Sequence, residues 1–472
     1  MKRMVTRSTA VAAVLALALG LAACSSSKSS SSGSGSANLP ECPIGAIDKA
    51  SKPVNLVFWH SAQEENEKAL KALTDKFNAS QTDVKVTLVK QASYEETLTK
   101  WQASLANSTD LPGLVMLEDV ALQNAIDSQN VLPAQSCVNA EKYDLSQFLP
   151  RVTSYYTVNK VLWPMPFNVS NPVMYYNKKL FAAAGLDPNK PPTTFDELKS
   201  AAEKLKGSVA VPISFKLDPW YSEMWLALQN KVYVNNGNGR DKPATQVEFN
   251  NPDGVAIWTF LDGLKKAGLL NTTPGGGFDN LLALGNVNAA ITFDTSAALG
   301  TAVVAIGAGT FPQFTLNDVG VAPLPKPTGS ASGGTYATGG AIYITKAKAS
   351  PPAVQEAAWR FAKYLNIPEN QAQFAGQSGY IPITEAAANT QTIKDLWAKY
   401  PFYKVAYDQL NTGPQTDATA GPVVGNATGQ RKEVTNAMQA MFNGGLSPQQ
   451  AVNQAATNSN NVIQQYNASV GR

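Results

Sequence analysis

Apolar residues in the first third of the chain follow two spacings, one typical of helices and one typical of strands. Every third or fourth position is apolar in 64–78 and 94–107, which predicts two amphipathic helices. The stretches 54–59, 84–88 and 114–117 are continuous or alternating apolar runs, which predict strands. Strands that alternate with helices in this way predict a parallel α/β sheet with crossover helices.

A second block of alternating elements begins near Phe167. Thr194 and Glu197 fit a capping box at the start of a helix that continues to Leu205. The last helix is predicted to open at Ser447, with Pro448 in its first turn. Further strands are predicted at 289–293, 319–322 and 341–345, and further helices at 255–267, 353–365 and 433–442.

The N-terminus has the pattern of an export signal. Lys2, Arg3 and Arg7 precede an Ala, Val and Leu run that ends in Leu-Ala-Ala-Cys24. This ending resembles the bacterial lipobox, in which the Cys is lipidated and becomes the mature N-terminus. We therefore expect a signal peptide at 1–23, a lipidated Cys24, and an extracytoplasmic protein anchored to the cell membrane. The alternative is a buried helix with an ordinary Cys.

The residues after Cys24 are rich in Ser and Gly, a composition typical of a flexible tether, which we expect to cover 24–52. The chain has a formal net charge of +3. Removal of the signal peptide takes away three positive charges and leaves 35 of each sign. A neutral domain lacks the basic surface that nucleic-acid binding requires.

Histidine and cysteine are scarce. A single histidine, His60, leaves little for a multi-His metal site or His-based acid–base catalysis, and no metal or cofactor is predicted. After Cys24 the only thiols are Cys42 and Cys137. In an oxidising compartment they are candidates for a disulfide, and two unpaired buried cysteines are the alternative.

Four short motifs follow one another in the middle of the chain. They are Phe-Asn-Val-Ser-Asn-Pro at 167–172, Tyr-Tyr-Asn-Lys at 175–178, Ala-Gly-Leu-Asp-Pro at 184–188 and Pro-Thr-Thr-Phe-Asp-Glu-Leu at 192–198. This ordered set resembles family 1 extracellular solute-binding proteins, the receptors of ABC importers. Gly-Tyr-Ile-Pro-Ile-Thr at 379–384, Gly-Asn at 425–426, Arg431 and Ser-Pro-Gln-Gln-Ala at 447–451 resemble the glycerol-3-phosphate-binding (Ugp-type) group within it.

The resemblance implies an α/β fold of the periplasmic-binding-protein type, with two lobes and a hinged ligand cleft between them. It places lobe 1 at 53–167 plus 293–340 and lobe 2 at 168–292 plus 341–469. It also implies a monomeric receptor that is not an enzyme, holds a small molecule in the cleft and delivers it to the transmembrane permease subunits of the importer.

The resemblance also implies a set of ligand contacts, with Gly339 as the alternative to Gly340 and the residues next to Ser170 and Ser296 as alternatives to those two. They are Tyr94, Glu118, Ser170, Ser296, Gly340, Tyr380 and Arg431. Where some members carry two tryptophans, this chain has Leu217 and then Trp220. That difference favours a glycerophosphodiester such as glycerophosphocholine over free glycerol 3-phosphate.

Each of these residue types has a chemical reason to bind such a ligand. The Arg431 guanidinium presents a planar fork of donors to phosphate oxygens. Glu118 can accept hydrogen bonds from glycerol hydroxyls, and the ring of Trp220 offers a face to a quaternary ammonium. The alternatives are structural: a salt-bridged Arg431, a solvated Glu118 and a Tyr94 that caps the following helix.

The sequence is also compatible with three other functions. A sugar or oligosaccharide ligand suits the same receptor, because aromatic rings and carboxylates also bind sugars. A secreted hydrolase would need a paired acid and base. Glu118 and Asp119 are adjacent, and neighbouring side chains of a strand point to opposite faces, which disfavours that pair. A purely structural surface adhesin is the third alternative.

Overall fold

A computed structural model describes residues 39–107, 111–330, 332–346 and 350–472 of the chain. The predicted signal peptide, Cys24 and the first part of the predicted tether lie outside these residues. Along the chain the strands are β1 (Val54–His60), β2 (Val84–Lys90), β3 (Leu114–Glu118), β4 (Val131–Leu132), β5 (Thr157–Val158), β6 (Val161–Leu162), β7 (Met165–Ser170), β8 (Pro172–Asn177), β9 (Val211–Lys216), β10 (Leu270–Thr273), β11 (Ala289–Thr295), β12 (Val319–Pro323) and β13 (Thr338–Thr345).

The helices are α1 (Glu64–Ser80), α2 (Tyr94–Ser104), α3 (Leu122–Asp127), α4 (Ala134–Glu141), α5 (Pro150–Tyr156), α6 (Lys178–Ala183), α7 (Phe195–Leu205), α8 (Trp220–Leu228), α9 (Asn235–Gly239), α10 (Pro252–Lys266), α11 (Asp279–Gly285), α12 (Leu299–Gly307), α13 (Pro352–Leu365), α14 (Pro368–Ser378), α15 (Glu385–Ala388), α16 (Gln391–Lys399), α17 (Val405–Leu410), α18 (Asp417–Ala420), α19 (Ala427–Phe442) and α20 (Pro448–Ser469).

Two mixed sheets organise the fold. The first has the order β2-β1-β3-β13-β4, with β7 also paired to β13, and the second has the order β10-β9-β11-β8-β12. β1 lies parallel to β2 and β3, and β9 lies parallel to β10 and β11. β13 and β8 run antiparallel to their neighbours. The predicted α/β architecture is confirmed, and the antiparallel strands are an addition to it.

The chain passes directly from one sheet to the other at Asn171, between β7 and β8. Asn171 is fully buried, and its amide donates to the carbonyl of Ala406 at 3.0 Å. Gln409 donates to the Asn171 side-chain oxygen at 2.9 Å. These bonds attach the crossing point to α17, so the C-terminal part of the chain helps to fix the place where the sheets meet.

Helix starts follow the predicted capping chemistry with one difference. Ser447 and Gln450 form a complete capping box at the start of α20, with Pro448 in the first turn. At α7 the Thr194 side chain accepts from the Glu197 N–H at 3.3 Å, as predicted. The Glu197 carboxylate bonds to Thr193 rather than to Thr194, at 2.7 Å from the backbone nitrogen.

Strand pairing divides the chain differently from the predicted lobe boundaries. β12 and the last three residues of β11 belong to the second sheet, although the resemblance predicts 293–340 in lobe 1. β13 belongs wholly to the first sheet, where Gly340 lies opposite Glu118, although the predicted boundary would cut it at 341. α13 packs against β1 and α14 against α1, on the side of the first sheet. Hydrophobic periodicity identifies a strand but not its partner, and we define lobe 1 by the first sheet and lobe 2 by the second.

The predicted tether ends earlier than expected. Ile47 is fully buried, and its backbone N–H donates to the Glu356 carboxylate at 2.8 Å. Cys42 is buried and is joined to Cys137 by a disulfide bond. The residues from Leu39 onward therefore pack onto the folded domain, and the tether prediction for 39–52 is wrong.

Candidate functional site

A cavity of about 170 Å³ lies between the two sheets. Lobe 1 contributes the ends of β3 and β7 and the start of β13, and lobe 2 contributes the ends of β9 and β11 and the start of α8. The carboxyl ends of strands are the usual ligand sites of α/β sheets. The lining residues are Tyr94, Glu118, Asp119, Ser170, Lys216, Asp218, Trp220, Tyr221, Asp294, Thr295, Ala297, Thr338, Gly339, Tyr380 and Arg431.

Most of the predicted ligand contacts meet in this cavity. The six that line it are Tyr94, Glu118, Ser170, Trp220, Tyr380 and Arg431. Ser296 and Gly340 do not line it, and their neighbours Thr295, Ala297 and Gly339 take those places. The six positions that line the cavity come from distant parts of the sequence, so their convergence is a property of the fold.

The glycine position is corrected by one residue. Gly339 has φ +106°, and its N–H donates to the Asp119 carboxylate at 3.0 Å. A Cβ at Gly339 would lie 2.3 Å from the Asn168 carbonyl oxygen, so a side chain does not fit there. A Cβ at Gly340 would lie 2.6 Å from the Asn168 side-chain oxygen and 2.9 Å from the Tyr94 hydroxyl. Gly340 therefore packs behind these two side chains rather than at the cavity surface.

Ser296 is fully buried, and its N–H donates to the Asn171 carbonyl at 3.0 Å. Its hydroxyl has no hydrogen-bond partner among the described residues. The preceding Thr295 side chain accepts from the Ala297 N–H at 3.2 Å, which forms the turn into α12. This turn places Thr295 and Ala297 at the cavity and Ser296 in the packed interior.

Arg431 lies on α19 and is held by a carboxylate that the sequence reasoning missed. Its Nε donates to Oε1 of Glu223 at 2.8 Å, and its Nη2 donates to Oε2 at 2.6 Å. The Tyr336 hydroxyl also donates to Oε2 of Glu223, at 3.0 Å. This bidentate pair occupies two of the three guanidinium nitrogens. The salt-bridged alternative for Arg431 is therefore realised in the structure, at the wall of the cavity.

The position of Glu223 in the sequence indicates that its carboxylate needs a cationic partner. It occupies the first turn of α8, an otherwise apolar helix, and its side chain is only 3% exposed. A carboxylate in such a position is rarely left without a cation. Its distance of 208 residues from Arg431 gave no local clue to which cation that would be.

Two adjacent carboxyl groups face the cavity from the end of β3. Burial and, after it, the neighbouring Asp119 raise the pKa of Glu118 to about 8. Burial also raises the pKa of Asp119 to about 6, against the opposing effects of Arg431 and the Gly339 N–H. At neutral pH Glu118 is thus mainly protonated and Asp119 mainly ionised.

The expectation that Glu118 and Asp119 point to opposite faces is wrong. β3 ends at Glu118, and a short 3₁₀ turn, Asp119–Ala121, begins at the next residue. The strand alternation therefore stops between the two residues, and both side chains line the cavity. Position alone does not argue against an acid–base pair here.

Two tyrosine side chains and one asparagine side chain are connected through the Tyr94 hydroxyl in lobe 1. The Tyr94 hydroxyl accepts a hydrogen bond from Asn168 at 2.6 Å and lies 3.4 Å from the Tyr380 hydroxyl. The Tyr380 ring stacks on Phe374, with the ring centres 5.5 Å apart. Tyr94 opens α2 but the helix cap is Ser93, so the capping alternative for Tyr94 is wrong.

Several buried polar atoms at the site have no partner among the described residues. They include Oδ2 of Asp119 and Nε1 of Trp220, two residues that line the cavity. A buried polar atom without a hydrogen bond costs about 1–3 kcal/mol. One of these atoms is an acceptor and the other is a donor, so a hydroxylated ligand with both functions would satisfy them.

Four further charged residues at the cavity were missed by the sequence reasoning: Asp119, Lys216, Asp218 and Asp294. Lys216 and Asp294 lie at the ends of β9 and β11, which are neighbouring parallel strands. Their side chains approach to 3.5 Å. Charged residues at the ends of apolar strands could have predicted this part of the site, because the ends of parallel strands lie together at one edge of a sheet.

In the part of the chain that the structure describes, no group of three or more His, Cys, Asp or Glu side chains is arranged to hold a metal ion. No helix in the same ranges combines the length and apolar content needed to cross a membrane.

A two-lobed α/β protein with a polar cavity between its lobes has the build of a solute receptor. The profile of the family described as bacterial extracellular solute-binding protein matches residues 72–401, and the chain belongs to this family. The sn-glycerol-3-phosphate-binding periplasmic protein UgpB of Escherichia coli (strain K12) is 27% identical over 436 residues, which cover 90% of this chain and 96% of that protein.

Solved structures agree with the fold. UgpB from Mycobacterium tuberculosis in complex with glycerophosphocholine has a TM-score of 0.72 at 20% identity and covers 88% of this chain and 99% of its own. The cyclic alpha-maltosyl-1,6-maltose binding protein from Arthrobacter globiformis has a TM-score of 0.69 at 22% identity, with 88% and 100% covered. The family match, rather than this likeness of fold, makes the chain a solute-binding protein of an ABC importer and not an enzyme.

Proposed function

We propose that this protein is the lipid-anchored substrate-binding subunit of an importer for a glycerophosphodiester with a cationic head group, such as glycerophosphocholine. The observation that carries the proposal is the convergence of six predicted ligand contacts on one interlobe cavity. The receptor would hold the ligand between its lobes and deliver it to the permease. Hinge closure around a ligand is a known form of conformational switching.

The charges of the cavity support a zwitterion over a free phosphomonoester. Besides the mainly protonated Glu118, three carboxylates line it, those of Asp119, Asp218 and Asp294, against two cations, Lys216 and Arg431. Glu223 neutralises much of the Arg431 charge. A dianion such as glycerol 3-phosphate would meet a surplus of negative charge here, whereas a phosphodiester with a quaternary ammonium has no net charge.

The groups available suit the three parts of such a ligand. Glu118 and Asp119 present oxygens to the glycerol hydroxyls. Trp220 lines the cavity with its ring, and an aromatic face stabilises a quaternary ammonium by about 0.5–2 kcal/mol. Asp218 lies two residues from Trp220 and adds negative charge on the same side.

A carbohydrate is the second candidate ligand. The surplus of carboxylate acceptors, including the unpartnered oxygen of Asp119, suits the many hydroxyl donors of a sugar. A sugar would need no cation for a phosphate. The two candidates differ in charge and are separable by direct binding.

A thermal-shift panel tests the proposal. Glycerophosphocholine, glycerol 3-phosphate and maltose are added separately to the purified protein, and the melting temperature is measured. A ligand present at 100 times its Kd stabilises by about 2.7 kcal/mol. We expect a concentration-dependent rise with glycerophosphocholine, and little or none with the others. A rise with maltose alone would replace this ligand by a sugar, and no shift at all would contradict both candidates.

The membrane anchor at Cys24 is part of the same proposal and has its own test. Cells that express the full chain are fractionated, with Cys24→Ala as the matched variant. We expect the wild-type protein in the membrane fraction and the variant in the soluble extracytoplasmic fraction. Equal distribution of the two would contradict the anchor while leaving the ligand proposal intact.

A further inference from the structure

Two cations, Lys216 and Arg431, line the cavity, and the Lys216 ammonium has the more donors left for a ligand. The guanidinium of Arg431 directs two nitrogens to Glu223 in a bidentate pair. The Lys216 ammonium lies 3.5 Å from Oδ2 of Asp294 and makes no hydrogen bond within the described residues. An ammonium has three donors, so the ion pair with Asp294 leaves at least two of them for a ligand.

The surroundings of Lys216 hold the ammonium in place without satisfying it. The side chain is 14% exposed, and that of Asp294 is 2% exposed. Asp294 is itself fixed, because its carboxylate accepts from Asn280 at 2.9 Å and from the Thr295 N–H at 2.7 Å. The Phe278 ring centre lies 6.0 Å from the ammonium. A largely buried ammonium without hydrogen bonds is costly until an acceptor arrives.

The backbone directs Lys216 into the cavity. It is the last residue of β9, a strand flanked by β10 and β11 in parallel register. Thr273 of β10 lies opposite Lys216, and its buried hydroxyl also lacks a partner among the described residues. Strand ends of this kind place side chains where an α/β sheet binds its ligands.

We propose that Lys216, rather than Arg431, is the counter-ion for the anionic group of the ligand, the phosphodiester oxygens of the proposed substrate. This assignment rests on the proposed function, because it presupposes an anionic ligand. Arg431 then positions the cavity wall through Glu223, and Asp294 holds Lys216 in place as its fixed partner. Lys216 would thereby select phosphodiesters over uncharged polyols.

Isothermal titration calorimetry with glycerophosphocholine tests the assignment. The variants are Lys216→Met, Lys216→Arg and the double change Lys216→Met with Asp294→Asn, which leaves no lone buried charge. Lys266→Met is the matched control, because Lys266 pairs with Asp262 outside the cavity and is 68% exposed. Thermal melting without ligand checks that each variant is folded.

Loss of a charge-assisted hydrogen bond should weaken binding at least tenfold in Lys216→Met and in the double variant. Lys216→Arg should stay within about threefold of wild type, and Lys266→Met should be unchanged. Wild-type binding with unchanged affinity in Lys216→Met and the double variant would overturn the Lys216 assignment alone. Absence of binding by wild-type protein would overturn the proposed ligand and this assignment together.

Discussion

Arg431 and Glu223, 208 residues apart in the sequence, form a bidentate ion pair at the wall of the interlobe cavity. Both side chains are largely buried, with 18% and 3% exposed. Two parallel N–H···O bonds fix the guanidinium in one orientation. The pair therefore joins α19 to α8 and determines which part of Arg431 faces the cavity.

Breaking this pair should destabilise the protein. In Glu223→Gln a buried guanidinium loses its counter-ion, and removal of one member of a buried pair costs about 3–5 kcal/mol. Chemical denaturation measures the free energy of unfolding. Glu203→Gln is the control, because Glu203 is 57% exposed and its ion-pair partner among the described residues is Lys199, at 3.9 Å. The control should change stability by less than about 0.5 kcal/mol, and an equally small effect in Glu223→Gln would contradict the structural role of the pair.

The carboxyl group of Glu118 should make stability depend on pH. Its pKa is raised to about 8 by burial and by Asp119. Between the ordinary pKa near 4.5 and about 8, the folded state binds more protons than the unfolded state, so stability falls as pH rises. Denaturation midpoints measured from pH 5 to pH 8 should decline in the wild type and decline less in Glu118→Gln. Identical slopes in the two proteins would show that Glu118 does not titrate in this window.

Trp220 should matter for a ligand with a quaternary ammonium and little for one without it. Loss of the aromatic face in Trp220→Leu should weaken glycerophosphocholine binding by about 0.5–2 kcal/mol, which is roughly 2–30-fold. Calorimetry measures the change. Trp163→Leu is a matched control, because Trp163 is partly buried outside the cavity. Equal affinities for Trp220→Leu and wild type would remove the cation–π contribution from the account.

The disulfide between Cys42 and Cys137 should stabilise the domain. It closes a loop with a sequence separation of 95, and a cross-link of this kind typically contributes about 2–4 kcal/mol. Reductant should lower the denaturation midpoint of wild-type protein and leave that of Cys42→Ser with Cys137→Ser unchanged. Two alkylatable thiols in unreduced, unfolded wild-type protein would contradict the bond.

Local pattern was sufficient to predict most elements. The strand at 54–59 and the helix at 64–78 correspond to β1 and α1, because apolar spacing within one element determines which face is buried. The motifs between 167 and 198 indicated the fold through their resemblance to a family rather than through their spacing.

The remaining differences concern relations between distant segments. β12 joins the second sheet and β13 joins the first because of long-range strand pairing, which periodicity does not encode. Gly339 replaces Gly340 because a shift of one residue in a strand moves a residue to the other face. Glu223 and Lys216 pair with Arg431 and Asp294, which are far from them in the sequence, so local pattern did not predict their place at the site.

Native mass spectrometry of the purified domain tests the central claim most directly. The protein is dialysed, incubated with an equimolar mixture of glycerophosphocholine, glycerol 3-phosphate and maltose, and analysed under non-denaturing conditions. We predict one bound molecule with the mass of glycerophosphocholine, recovered without hydrolysis products. A complex that contains only maltose or only glycerol 3-phosphate, or release of free choline, would contradict the account.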